Sequence, residues 1–131
     1  MKAAVYCRLA LKDDELMEIQ ISKVSLFAKE NGYDDVAVYV DNGASGNNFY
    51  NPALIRLMED ISAAKINTVF IRSVDRICRD ALRLEYWLNW ATRKEVLVKA
   101  MDRTCGDETA DTYSEILSSI EKGGGLDGAE E

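Results

Sequence analysis

Apolar residues recur along this chain at two different spacings, and the spacing changes from segment to segment. From Lys2 to Arg8 the continuous apolar run Ala3-Ala-Val-Tyr-Cys has the length of a buried strand, with Arg8 at its carboxyl end. Met17, Ile21, Val24 and Ala28 then recur at helical spacing, with Leu16 and Phe27 beside them. Asp13 or Asp14 can cap that helix, Glu15 and Glu18 fall in its first turn, and Asn31-Gly32 closes it. Val36 to Val40 is β-branched and alternating, a second strand. Leu54, Leu57, Met58 and Ile61 form the stripe of a second helix, which Asn51-Pro52 opens with a capping side chain and a proline in the first turn. Thr68 to Ile71 predicts a third strand that breaks into a turn opening a helix. The spacing predicts that helix over 81–94, with Leu82, Tyr86, Trp87 and Trp90 on or near one face as core or partner surface. Val96 to Met101 reads as a fourth strand. Tyr113, Ile116, Leu117 and Ile120 give Thr109 to Lys122 helical spacing, ended by Gly123-Gly-Gly125.

Strand and helix alternate throughout, which predicts an α/β fold with a mostly parallel central sheet flanked by helices. At 131 residues the chain is one domain with room for a hydrophobic core. No apolar run approaches the roughly 18 residues of a membrane span, so no membrane partner is expected and a cytoplasmic location is. Three widely spaced cysteines (Cys7, Cys78, Cys105) without C-x-x-C spacing suggest reduced thiols, and the absence of histidine leaves no histidine-based triad and no ordinary zinc site.

Charge changes the picture through its distribution. The net charge of −7 suits a nucleic-acid binder poorly, but residues 104–131 hold eight acids and one base and account for all of it. Residues 1–103 balance at fifteen acids and fifteen bases, and Thr68 to Arg103 carries eight bases against five acids. A neutral body with a basic edge is compatible with local phosphate contact.

Parallel strands place their carboxyl ends on one rim, where open α/β sheets bind ligands. Arg8, the loop Asp41-Asn-Gly-Ala-Ser-Gly-Asn-Asn48, and Arg72, Asp75, Arg76 and Arg79 are therefore expected to share that rim. Guanidinium forks match phosphate oxygens, and such a clamp can neutralise the charge of phosphoryl transfer without a metal. The plain alternative is a solvated helix start with surface ion pairs, although bases near a helix start are mildly disfavoured.

Tyr6-Cys-Arg8-Leu-Ala10, Asp41-x-x-x-Ser45-Gly46 and Asp75-Arg76-Ile-Cys-Arg79-Asp80 resemble the three signature segments of the serine recombinase (resolvase/invertase) catalytic domain. With Lys12-Asp-Asp-Glu15, the first segment is most similar to large serine recombinases of conjugative transposons. The resemblance implies a three-layer resolvase-like domain over 1–103, the start of a dimerisation-type helix over 104–122, and an acidic tail, expected to be disordered, over 123–131. It implies site-specific DNA cleavage and rejoining without metal or cofactor. A serine hydroxyl attacks the phosphodiester, leaving a 5′-phosphoserine link and a 3′-hydroxyl, in dimers that pair as tetramers. By the same resemblance Arg8, Arg76 and Arg79, with Arg72 near them, would hold the DNA phosphate. Asp75 would orient the arginines or move a proton, Ser45 would bind in the site, and Gln20, Asp41 and the position of Asn51 would support it.

Two positions depart from the family. The nucleophilic serine falls at Ala10, and no serine or threonine lies between Arg8 and Leu16 to replace it; Asn51 stands where the family carries an arginine. Without the hydroxyl, covalent catalysis should be abolished rather than slowed. Two losses in one site fit natural divergence. The expected function is thus a recombinase catalytic domain that does not cleave as written. The alternative is a non-catalytic assembly or regulatory partner of an active recombinase. A small flavodoxin-like binder of a phosphorylated molecule is disfavoured, since no G-x-G-x-x-G or P-loop occurs.

Overall fold

The computed structural model describes residues 2–47 and 49–102. The helix expected over Thr109 to Lys122, the tail after it and Cys105 lie outside the described residues. Four strands and three helices alternate: β1 (Lys2–Leu9), α1 (Asp14–Glu30), β2 (Val36–Asn42), α2 (Pro52–Ser62), β3 (Ile66–Ser73), α3 (Ala81–Arg93) and β4 (Leu97–Asp102). All strand pairs are parallel, in the order β2-β1-β3-β4, with Tyr6 beside Tyr39 on one side and Ile71 on the other.

Because β1 is central, Ala3 to Cys7 are wholly buried, which a continuous apolar run permits and an alternating one would not. Strand alternation divides the core. Ala3, Val5, Cys7 and Phe70 face α1 through Met17, Val24 and Ala28. Ala4, Tyr6, Val69, Ile71 and Val98 face α2 and α3 through Leu54, Leu57, Trp87 and Leu88. The result is one helix, a sheet and two helices in three layers, the α/β arrangement expected from the sequence.

Local details follow capping chemistry in part. Asp13 caps α1, accepting from Leu16 N at 3.0 Å, and Asn31 closes it. Two expectations need correction. The turn after β3 does not open α3 directly. A 3-10 turn at Val74–Arg76 comes first, and α3 then begins at Ala81, where the spacing placed it, with Asp80 as its cap. The buried face of α3 is Leu84, Trp87, Leu88 and Ala91, whereas Leu82 and Tyr86 are exposed. No helix among the described residues is long and apolar enough to cross a membrane.

Candidate active site

The strand order places a switch point between β1 and β3: the chain leaves β1 for β2 on one side and returns to β3 on the other. Ligands of open α/β sheets bind at the carboxyl edge of such a point. Arg8, near the end of β1, and the 72–79 segment after β3 meet there.

Arg8 is only 1% exposed. Its Nε donates to the Arg76 carbonyl at 3.0 Å, Nη1 to the Ala44 carbonyl at 3.0 Å, and Nη2 to the Asp75 carbonyl at 2.8 Å. Its main chain is clasped by Gln20, which accepts from Arg8 N at 3.2 Å and donates to the Arg8 carbonyl at 3.4 Å. Arg76 Nη1 donates to the same carbonyl at 3.2 Å, while Arg76 Nε is buried without an acceptor among the described residues. Burial, more than any other influence, lowers the Arg8 pKa from its ordinary value; Tyr6 and Asp75 oppose this, and repulsion from Arg76 and Arg79 adds to it.

Arg79 is exposed, and its N–H donates to the Gly46 carbonyl at 2.7 Å. Gly46 sits between the two guanidinium-bearing chains: a methyl group placed on it would lie 2.6 Å from Arg8 Nη2 and 2.6 Å from Arg79 Cγ. Only a residue without a side chain can approach so closely. Asp75 accepts from Ser73 Oγ at 2.5 Å, so its carboxylate is fixed by the end of β3. Ser45 is exposed, and its Oγ accepts from Asn47 N at 3.0 Å. Ala10 is exposed in the bend after β1. Its neighbour Leu9 accepts from Gly43 N and Ala44 N, each at 2.8 Å, which ties that bend to the loop after β2.

Asp41 and Asn51 do work that local pattern did not reveal. The Asn51 side chain makes no cap bond to α2; its Nδ2 donates to the Ser45 carbonyl at 2.6 Å. Asp41, at the end of β2, caps α2 instead, accepting from Ala53 N at 2.9 Å and Leu54 N at 3.0 Å. It also accepts from Tyr6 Oη at 2.7 Å, and the Tyr6 phenol is pushed upward by burial first and by Asp41 second. The structure thus brings together Arg8, Gln20, Ser45, Asp75, Arg76 and Arg79, with Asp41 and Asn51 behind the loop. Arg72 stands apart: alternation along β3 puts it on the Phe70 side of the sheet, opposite the face that Arg8 shares with Tyr6. Ser73 joins the site unannounced, and Tyr6 and Gly46, which appeared only as members of the signature segments, turn out to hold Asp41 and to fill the space between Arg8 and Arg79.

Comparison with known proteins agrees with this geometry. Residues 3–123 match the family model of the resolvase N-terminal domain. A Bacillus subtilis (strain 168) protein described as a DNA recombinase is 35% identical over 77 residues, covering 58% of this chain. The match spans 15% of that relative's length. Among solved structures, the N-terminal catalytic domain of TP901-1 integrase is similar in fold, with a TM-score of 0.77 and 22% identity, over 93% of each chain. The C-terminal catalytic domain of ISC1926 TnpA, an IS607-like serine recombinase, is similar with a TM-score of 0.69 and 27% identity, over 77% of this chain and 70% of that one. A chain with this rim of arginines, this sheet order and this family match belongs to the resolvase family, as a serine recombinase catalytic domain.

Proposed function

We propose that the chain retains the phosphate-gripping half of a serine recombinase site and lacks the half that cuts. The observation that carries this is the meeting of Arg8 and Arg79 around Gly46, with Arg76 bonded to the Arg8 carbonyl, while position 10, two residues after Arg8, carries only a methyl group. Guanidinium groups can hold a DNA phosphodiester and spread its charge. Attack needs a hydroxyl within reach, and Ala10 offers none. Ser45 is exposed, but its Oγ is engaged with Asn47 N in a local turn. Asn51 reaches the loop carbonyl rather than an anion. In this proposal residues 1–103 are the catalytic unit, 104–122 open the inter-subunit helix, and DNA is met by dimers or tetramers.

The test is strand cleavage, with the chain fused to a sequence-specific DNA-binding module and offered a supercoiled site. The unaltered chain and Ala10→Ser should leave the DNA intact, and Ala10→Ser with Asn51→Arg should yield a covalent phosphoserine adduct. Cleavage by the unaltered chain would refute loss of function.

An alternative role, as a non-catalytic partner of an active recombinase, draws on one further observation. An open apolar cleft of about 950 Å3 lies between α2 and α3, lined by Phe49, Tyr50, Ile55, Met58 and Trp90. Exposed apolar surface of this kind marks association. Co-elution with an intact recombinase would favour that role, and failure to associate with itself or with the recombinase would remove it.

A further inference from the structure

The loop between β2 and α2 is fastened at every residue from Gly43 to Asn47. Gly43 and Ala44 donate to Leu9, the Arg8, Asn51 and Arg83 side chains hold the Ala44, Ser45 and Asn47 carbonyls, and the Arg79 main-chain N–H holds the Gly46 carbonyl. These bonds press Gly46 into the space between Arg8 and Arg79. Arg8 Nη1 is on the loop carbonyl of Ala44, its Nε and Nη2 are on the Arg76 and Asp75 carbonyls, and with Gly46 packed over Nη2 the side chain has almost no exposed surface. A phosphate arriving from solvent meets Arg79 first and finds Arg8 covered.

We propose that Asn51 is a positioning residue that holds the 43–47 loop as a plug over Arg8, so that Arg8 becomes available to an anion only when the loop withdraws. Three features support this. The Asn51 side chain is buried, and its part-buried bond to the exposed Ser45 ties the loop to the first turn of α2. Asn51 is not needed to cap that helix, because Asp41 already serves Ala53 and Leu54. Arg8 has its guanidinium bonded to neutral carbonyls, one of them in the loop, so an entering anion can take the loop carbonyl's place once the loop lifts. The consequence for DNA rests on the phosphate-holding role proposed above; the plug itself does not.

The experiment measures the reactivity of each arginine toward phenylglyoxal by peptide mass spectrometry, without DNA. In the unaltered protein Arg79 should react readily and Arg8 should be protected. Asn51→Ala, and Asn51→Asp, which keeps the shape but cannot donate, should raise the Arg8 rate about fivefold to tenfold, the factor implied by loss of one hydrogen bond. Gly46→Ala should do the same, by forcing the loop outward. The Cys7 thiol, buried on the opposite face of the sheet, should remain unreactive, separating local opening from unfolding. Arg8 reacting as fast as Arg79 in the unaltered protein would overturn the plug. So would an unchanged Arg8 rate in Asn51→Ala, or Arg8 and Cys7 becoming reactive together. Inorganic phosphate should slow Arg8 modification in the opened variants. If it does not, the plug stands and the phosphate-holding role of Arg8 falls.

Discussion

Asp41 carries more of this structure than any other single carboxylate among the described residues. One oxygen accepts from Ala53 N, and the other from both Leu54 N and Tyr6 Oη. It therefore joins the end of β2, the start of α2 and the centre of β1. Removing it strands two helix-end N–H groups and a buried phenol at once. Asp41→Ala should cost about 2–3 kcal/mol, seen as a lower urea midpoint with an unchanged dependence on urea. Sequence could narrow the cap to Asp13 or Asp14 because a cap and the N–H groups it accepts from lie within three residues. Asp41 acts across twelve residues, and nothing local distinguishes it from Asn51, which has the better cap pattern and makes a different bond. Likewise Ser45-Gly46 could be recognised as a motif, whereas the reason for its glycine is a contact between two arginines far apart in the chain.

At the level of elements, α3 shows where periodicity stops short. Leu82, Tyr86, Trp87 and Trp90 are all apolar or aromatic, and spacing alone gathers them onto one broad face. The sheet and α2 decide which of them is buried: Trp87 is sealed against the core, while Tyr86 lies outside, stacked against Phe49 with ring centres 6.4 Å apart. The two neighbours should respond in opposite ways. Trp87→Ala should destabilise the protein by about 3–5 kcal/mol through the cavity it leaves, while Tyr86→Ala should cost about 1 kcal/mol or less. Thermal unfolding of the two variants checks this. The 3-10 turn at 74–76 was equally hidden, since its Val-Asp-Arg sequence is compatible with a first helical turn. Its effect is to let Arg76 reach back to the Arg8 carbonyl.

For the whole molecule, the alternation of strands and helices and the order of basic residues were enough to foresee a parallel sheet with arginines gathered at one rim. Arg72 shows the limit: nearness in sequence to Arg76 does not override the face that a strand position dictates. The buried interior also sets a dependence on pH. Burial pushes the Cys7 thiol from its ordinary 9.0 up to about 12, against a smaller opposing effect of Arg76. Between those values the unfolded chain has released a proton that the folded chain keeps, so stability falls as pH rises through that range and is unaffected below it. Circular dichroism at fixed urea should show this loss, and Cys7→Ala should lessen its slope.

The central place of β1 has a consequence for how the protein is made. Lys2–Leu9 is synthesised before both of its sheet neighbours, and one of them, β3, begins only at Ile66. Until that later stretch has been synthesised, an almost wholly apolar ribbon waits with one edge unpaired, a state in which nascent chains are vulnerable to capture by one another. Translation speed over the intervening sixty or so residues, and any chaperone that shelters β1 during that interval, should therefore govern yield more than the stability of the finished fold does.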